Sequence, residues 1–290
     1  MRIVLTSCLV LLALAGCGDP GRGGRPLVVA TTPQLADFAR QVGGDRIEVR
    51  TLLPANVDPH DFEPRPSDAE AIARADVVLR SGGEVDEWLD DLVDTAGGDA
   101  DVVAVGERIR ARGDDPHWWQ DPLMTFRAVG AVWEALREAD PAGADAYERG
   151  AAAYGQEVGA LHREIAACMR SIPRERRKLV TNHDAFGWFA RRYGIDVLGS
   201  IIPGRSTSAR PSAQDVRELV DAIRREGVRT IFPESALNQR LEEAVARDAR
   251  AKVGEPLYAD TLGRAGTYLG ALRHDAAAMA RGFGGDCSLG

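Results

Sequence analysis

One alternation organises this chain; it stops once and then starts again. Short apolar runs take turns with helix-patterned segments: Leu27–Ala30, a helix over Pro33–Gly43, Ile47–Leu53, a helix over Ser67–Ala75, Asp76–Leu79, a helix over Val85–Val93 and Asp101–Val105. Apolar strands alternating with helices specify a parallel sheet covered on both faces. Ser67 with Glu70 three residues on has the form of a capping box. The alternation then yields to Ala142–Ser171, which has no internal proline and sets Tyr147, Tyr154, Val158, Leu161 and Ile165 near helical spacing. At ~1.5 Å per residue such a helix spans a domain. Beyond it the pattern resumes with strands at Leu179–Thr181, Asp196–Ile202, Val228–Phe232 and Val253–Tyr258, and helices at Phe186–Tyr193, Ser212–Glu226, Leu237–Arg250 and about Gly266–Arg281. The expected fold is α/β. Two lobes, 27–140 and 173–285, each hold a small parallel sheet flanked by helices, and one long rigid helix over 141–172 joins them.

The N-terminus reads as a processing signal. Arg2 precedes the apolar run Ile3–Leu14, which is too short to span a bilayer, so residues 1–16 are expected to be a signal peptide. Leu14-Ala15-Gly16-Cys17 resembles the lipobox of bacterial lipoproteins, which implies cleavage before Cys17 and lipidation there; ordinary secretion is the alternative. The Gly- and Pro-rich stretch to Pro26 then serves as a flexible tether. The net charge is −8, or −9 once Arg2 leaves, which excludes nucleic acid as a natural partner. Cys8 leaves with the signal and Cys17 takes lipid, so Cys168 and Cys287 remain in an oxidising compartment that permits a disulfide; sequence does not put them within reach. No phosphate-binding loop, dinucleotide fingerprint or nucleophile elbow is present.

The chemistry-bearing residues are few. Asp-Pro-His occurs twice, at Asp58-Pro59-His60 and Asp115-Pro116-His117, and the chain has only five histidines. Proline stiffens each loop and presents the imidazole rigidly. In open parallel sheets ligands sit beyond the carboxyl ends of strands. There the sequence offers His60 and His117 from lobe one, and His183, Glu234 and Asp260 from lobe two. Three imidazoles and a carboxylate suit a borderline transition metal, and four protein ligands close a tetrahedral Zn²⁺ shell with no place for a substrate water. Glu234 is expected to orient one of the imidazoles, with a role as fifth ligand as the alternative. His162, in mid-helix, and His274, in the last helix, are expected at the surface.

Four segments carry a family resemblance: Val57–Pro64, Asp115–Pro122, Thr181–Phe189 and Leu257–Gly263, supported by Ile202–Thr207 and Pro211–Ala213. Over about Leu27–Gly284 the chain resembles the metal-binding substrate-binding proteins of ABC importers for zinc and manganese. The resemblance implies metal held between two α/β lobes, and it matches His60, His117, His183 and Asp260 to the family's ligand positions. It also implies a monomeric, extracytoplasmic lipoprotein that serves a membrane permease and its ATPase. Two departures stand out: Glu107–Asp115 lacks the histidine-rich loop of many zinc members, and Arg210 stands where an acidic residue is common. Manganese-type members tend to carry a carboxylate where this chain has His183, so Zn²⁺ is the expected cargo and Mn²⁺ the runner-up. The competing readings are a secreted zinc metallohydrolase with Glu234 as general base, and an adhesin or metal buffer without a permease.

Overall fold

The computed structural model describes residues 24–111 and 113–289. Cys17 and the leader lie outside them. In chain order the elements are β1 Leu27–Ala30, α1 Pro33–Gly43, β2 Glu48–Thr51, α2 Pro66–Arg74, β3 Val77–Arg80, α3 Trp88–Ala96, β4 Asp101–Ala104, α4 Val105–Arg108, α5 Pro122–Ala139, α6 Ala144–Ser171, β5 Lys178–Thr181, α7 Gly187–Tyr193, β6 Asp196–Ser200, α8 Ala213–Glu226, β7 Thr230–Ile231, α9 Arg240–Ala249, β8 Lys252–Val253 and α10 Tyr268–Gly282.

The first sheet is parallel throughout, in the order β2-β1-β3-β4. Its central strands are sealed: Val28, Val29, Ala30, Val77, Val78 and Leu79 have no exposed surface. That explains why their sequences are continuously apolar rather than alternating. In the second half β5 pairs with β6 and β7 with β8, again parallel. The Phe232 amide donates to the Val180 carbonyl at 2.9 Å and stitches the two pairs together. The resulting order, β6-β5-β7-β8, repeats the first half. All strands therefore point their carboxyl ends toward the same class of loop, which is where the candidate ligands sit.

The long helix α6 is more than a connector. It buries Tyr147, Tyr154, Val158, Leu161, Ile165 and Met169. A Cβ on its Gly150 would collide with the Val42 carbonyl, so glycine is what allows α6 to lie directly on the end of α1. Phe38 of α1 meets the rings of Trp118, Tyr154 and Tyr268, with centroids 6.3, 6.3 and 5.1 Å away, and so links three later parts of the chain. Buried Asp37 accepts from the Tyr154 hydroxyl at 2.9 Å and from the Tyr268 amide at 3.0 Å. Helix α10 thereby crosses back to the first half, where the Tyr268 hydroxyl donates to the Trp119 carbonyl at 2.8 Å. Arg192 of α7 adds a two-pronged bond to Asp121, at 2.8 and 2.6 Å, on the N-cap of α5. A disulfide joins Cys168 to Cys287, with Cα atoms 5.5 Å apart, and fastens the end of α6 to the chain beyond α10.

Several local expectations need correcting. Helix α2 begins at Pro66, whose fixed φ suits the first helical position, and Asp68 rather than Glu70 accepts from the Arg65 amide at 2.9 Å. The expected helix Val85–Val93 is a 3-10 turn at Gly83–Val85 followed by α3, because buried Asp86 turns inward to Thr31, Ser81 and Gly82. Residues Pro141–Gly143 form a 3-10 turn ahead of α6. Helix α5, 18 residues long, was not anticipated.

Candidate metal site

The recurrence of Asp-Pro-His has a geometric cause. In both copies the aspartate Oδ1 accepts the backbone N–H of the histidine two residues on, at 3.0 Å for Asp58–His60 and 3.1 Å for Asp115–His117. With proline between them, each imidazole is fixed by a stiff turn rather than by packing alone. Asp115 does more: its Oδ1 also lies 3.0 Å from His117 Nδ1. Sequence reading gave Asp115 no role, although an acid two residues before each histidine was the available signal.

His183 follows β5 and is gripped by Glu234. The Glu234 carboxylate accepts from the His183 amide at 3.1 Å and lies 2.8 and 3.0 Å from its Nδ1. Asp260 belongs to the segment after β8, which leaves the sheet and rejoins it at the Glu234–Leu257 bridge. Trp119 Nε1 and Gln120 Nε2 both donate to the Ala259 carbonyl at 2.9 Å. The aromatic motif after His117 thus holds the backbone beside Asp260 from the opposite half of the molecule.

These loops bring His60, His117, His183 and Asp260 together, with one potential ligand atom from each lying within 4.8 Å of the others. His117 Nε2 is 3.3 Å from His183 Nε2; Asp260 Oδ1 lies 3.5 Å from the first and Asp260 Oδ2 3.4 Å from the second, so each oxygen faces one ring. A tetrahedron with metal–ligand bonds of ~2.0–2.1 Å has edges of about 3.3–3.4 Å. His117 and His183 are completely buried, and Asp260 is 7% exposed. His60 Nε2 and Asp260 Oδ1 are buried without a hydrogen-bond partner. With Nδ1–H of His117 and His183 directed at carboxylates, both Nε2 lone pairs face one another. Such a contact is repulsive unless a cation or a proton lies between.

The electrostatics favour displacement of a proton by a metal. Burial pushes His60 down to about 3, and burial with the neighbouring His183 holds His117 well below the usual imidazole range. Burial opposes charge on His183 too, but Glu234 and Asp260 outweigh it and raise that ring to about 9. Burial raises Asp260 to about 7. The metal-free site at neutral pH therefore keeps a proton on His183, which an incoming cation must expel. Glu234 is expected to act through that ring. Glu234→Gln should weaken metal binding by roughly 10–100-fold while the fold persists, as measured by competition with a chromophoric chelator and by circular dichroism.

Two histidines depart from expectation. His162 is half-buried, its Nδ1 3.1 Å from the Tyr193 hydroxyl, and so joins α6 to α7. His274 is also half-buried; it stacks on Tyr258 at 4.5 Å, with Nε2 2.9 Å from the Pro256 carbonyl. It backs the segment that carries Asp260. Rim loops meet above His60: Thr207 bonds Asp58, Ser208 Oγ reaches the His60 carbonyl at 3.4 Å, and Arg205 pairs with Asp114 at 2.7 Å.

The family described as zinc-uptake complex component A, periplasmic, matches residues 28–282. The manganese-binding lipoprotein MntA of Bacillus subtilis is 33% identical over 286 residues, covering 91% of this chain and 92% of that protein. The zinc-binding protein TroA of Treponema pallidum is 32% identical over 287 residues, covering 92% of each. The solved structure of periplasmic zinc-binding TroA superposes with a TM-score of 0.84 at 30% identity, over 90% of this chain and 99% of that one. Fold, ligand cluster and sequence agree: the chain belongs to the zinc-uptake component A family, the metal-binding substrate-binding proteins of ABC importers, which are not enzymes.

Proposed function

We propose that this protein captures Zn²⁺ through His60, His117, His183 and Asp260 and delivers it to a membrane permease driven by an ATPase. The observation that carries this reading is the cluster of three imidazoles and one carboxylate, whose ligand atoms lie within 4.8 Å of one another, with His117 Nε2 and His183 Nε2 3.3 Å apart, the length of an edge of a tetrahedral zinc shell. Glu234 completes the design by holding the His183 ring, so it is engaged away from any substrate water. Manganese is the second reading: the relative MntA is named for it, and Asp260 can bind through both oxygens. Metal analysis of protein purified without chelator tests the pair. One zinc per chain is the expected result, and manganese in its place would reverse the assignment.

The protein works as a lipid-anchored monomer on the outer face of the cytoplasmic membrane. In this reading the lipid at Cys17 is its covalent anchor; among the described residues no helix is long and apolar enough to cross a bilayer. Cys17→Ser should leave the protein uncleaved or release it to the medium. Fractionation after a high-salt wash, which removes electrostatic contacts, that finds the variant mature and still membrane-bound would contradict the anchor. Release of metal falls to the rim loops, because α6, α10 and the Arg192–Asp121 bond resist hinge opening.

A further inference from the structure

The metal cluster lies beyond the strand ends, and the opposite, strand-start end of the second half has a different character. There Arg224, Arg229, Arg250, Lys252 and Arg281 line a hollow of about 630 Å³. Lys178 and Lys252, the first residues of β5 and β8, are the only lysines in the chain. Lys178 is neutralised by Glu226 at 3.0 Å, Arg281 by Glu255 at 2.7 Å and Arg224 by Asp221 at 3.6 Å. Arg229, Arg250 and Lys252 are exposed and have no ion-pair partner among the described residues. An uncompensated cationic patch in a chain of net charge −8 is a local specialisation rather than a reflection of composition.

Its position suggests the partner. Residues 24–27 lead into β1 at the strand-start end of the first half, beside Arg46 and Asp140, which lie close to the start of α6. The basic hollow lies near the other end of α6, where the chain enters β5. At ~1.5 Å per residue the 28 residues of α6 separate the two points by about 42 Å. A tether of about ten residues reaches ~35 Å at full extension, so it holds the tethered end near the bilayer and lets the rest of the base come down onto it.

We propose that the strand-start face of the second half is a membrane-apposed surface that binds anionic phospholipid headgroups. Lipid at one end of the base and cationic contact at the other would lay the molecule flat, with the metal cleft turned toward the medium. Capture and handover would then be different orientations, and release of the base would be a step in delivery. The inference rests on the anchored reading above. Each cation close to an anionic surface contributes about a fivefold gain in membrane partitioning.

The two lysines make the test simple. Full-length protein purified from membranes is reconstituted on phosphatidylcholine vesicles with or without phosphatidylglycerol, and amine labelling of each lysine is followed by peptide mapping. Labelling of Lys252 should slow at least fivefold on the anionic vesicles only. High salt should restore it, as should Arg229→Glu with Arg250→Asn, chosen because asparagine tolerates the left-handed backbone at that position (φ 57°). Zn²⁺ affinity of the variant should be unchanged. Equal labelling on both vesicles would overturn the proposal, as would protection by inorganic phosphate alone without vesicles. Failure to float with neutral vesicles would contradict only the anchor, and protection of Lys252 on anionic vesicles would still decide the surface.

Discussion

Zn²⁺ at a thousandfold excess over its Kd should raise the melting temperature of this protein by roughly 10 °C. A ligand that binds only the native state stabilises it by about 4 kcal/mol at that ratio, and for a chain of this size each kcal/mol moves the midpoint by about 2–4 °C. The site is built for such linkage. Its candidate ligands come from both halves of the chain, so the unfolded polypeptide has no comparable cluster. Replacing His60, His117 and His183 together by alanine should abolish the rise, and His117→Ala alone should remove most of it. An equal rise in the triple variant would locate the metal elsewhere. The sign of the pH dependence follows from His183. Its metal-free ring titrates near 9 and must lose its proton to bind, so affinity falls by about tenfold per displaced proton for each unit below that value. Below about 7 Asp260 adds a second proton, and the thermal shift should shrink faster.

The second large effect concerns metal choice. His183→Glu should cost Zn²⁺ about 100-fold in affinity and turn preference toward Mn²⁺, which favours oxygen-rich shells of higher coordination. The new carboxylate would face Glu234, which now lies 2.8 Å from His183 Nδ1, and like charges so close resist joint ionisation. The companion His183→Glu with Glu234→Gln removes that conflict and should bind Mn²⁺ more tightly than the single variant. Titration calorimetry with both metals reads the outcome. An unchanged preference, or wild type that binds Mn²⁺ as tightly as Zn²⁺, would refute the assignment of zinc.

Much of this architecture was legible because its signals are local. Sealed strands such as Val77–Leu79 read as unbroken apolar runs, and α6 as a helical pattern free of proline. The candidate ligands stood out because histidine is scarce and because loops after parallel strands converge. Helix α5 was missed although Asp121-Pro122 is a good helix start, since those residues were absorbed into the aromatic motif after His117. The return of α10 to the first half was not legible either. It depends on Asp37 meeting Tyr154 and Tyr268, a contact across 231 residues that no sequence window contains. His162 and His274 looked superficial because their partners, Tyr193 of α7 and Tyr258 of the segment before Asp260, lie outside their own helices.

Diffraction at the zinc absorption edge from zinc-loaded crystals tests the central claim most directly. The account predicts a single anomalous peak about 2.0–2.2 Å from His60 Nε2, His117 Nε2, His183 Nε2 and an Asp260 oxygen, with Glu234 on the far side of the His183 ring. A peak outside this cluster, a shell that omits Asp260, or Glu234 bound directly to the ion would contradict it.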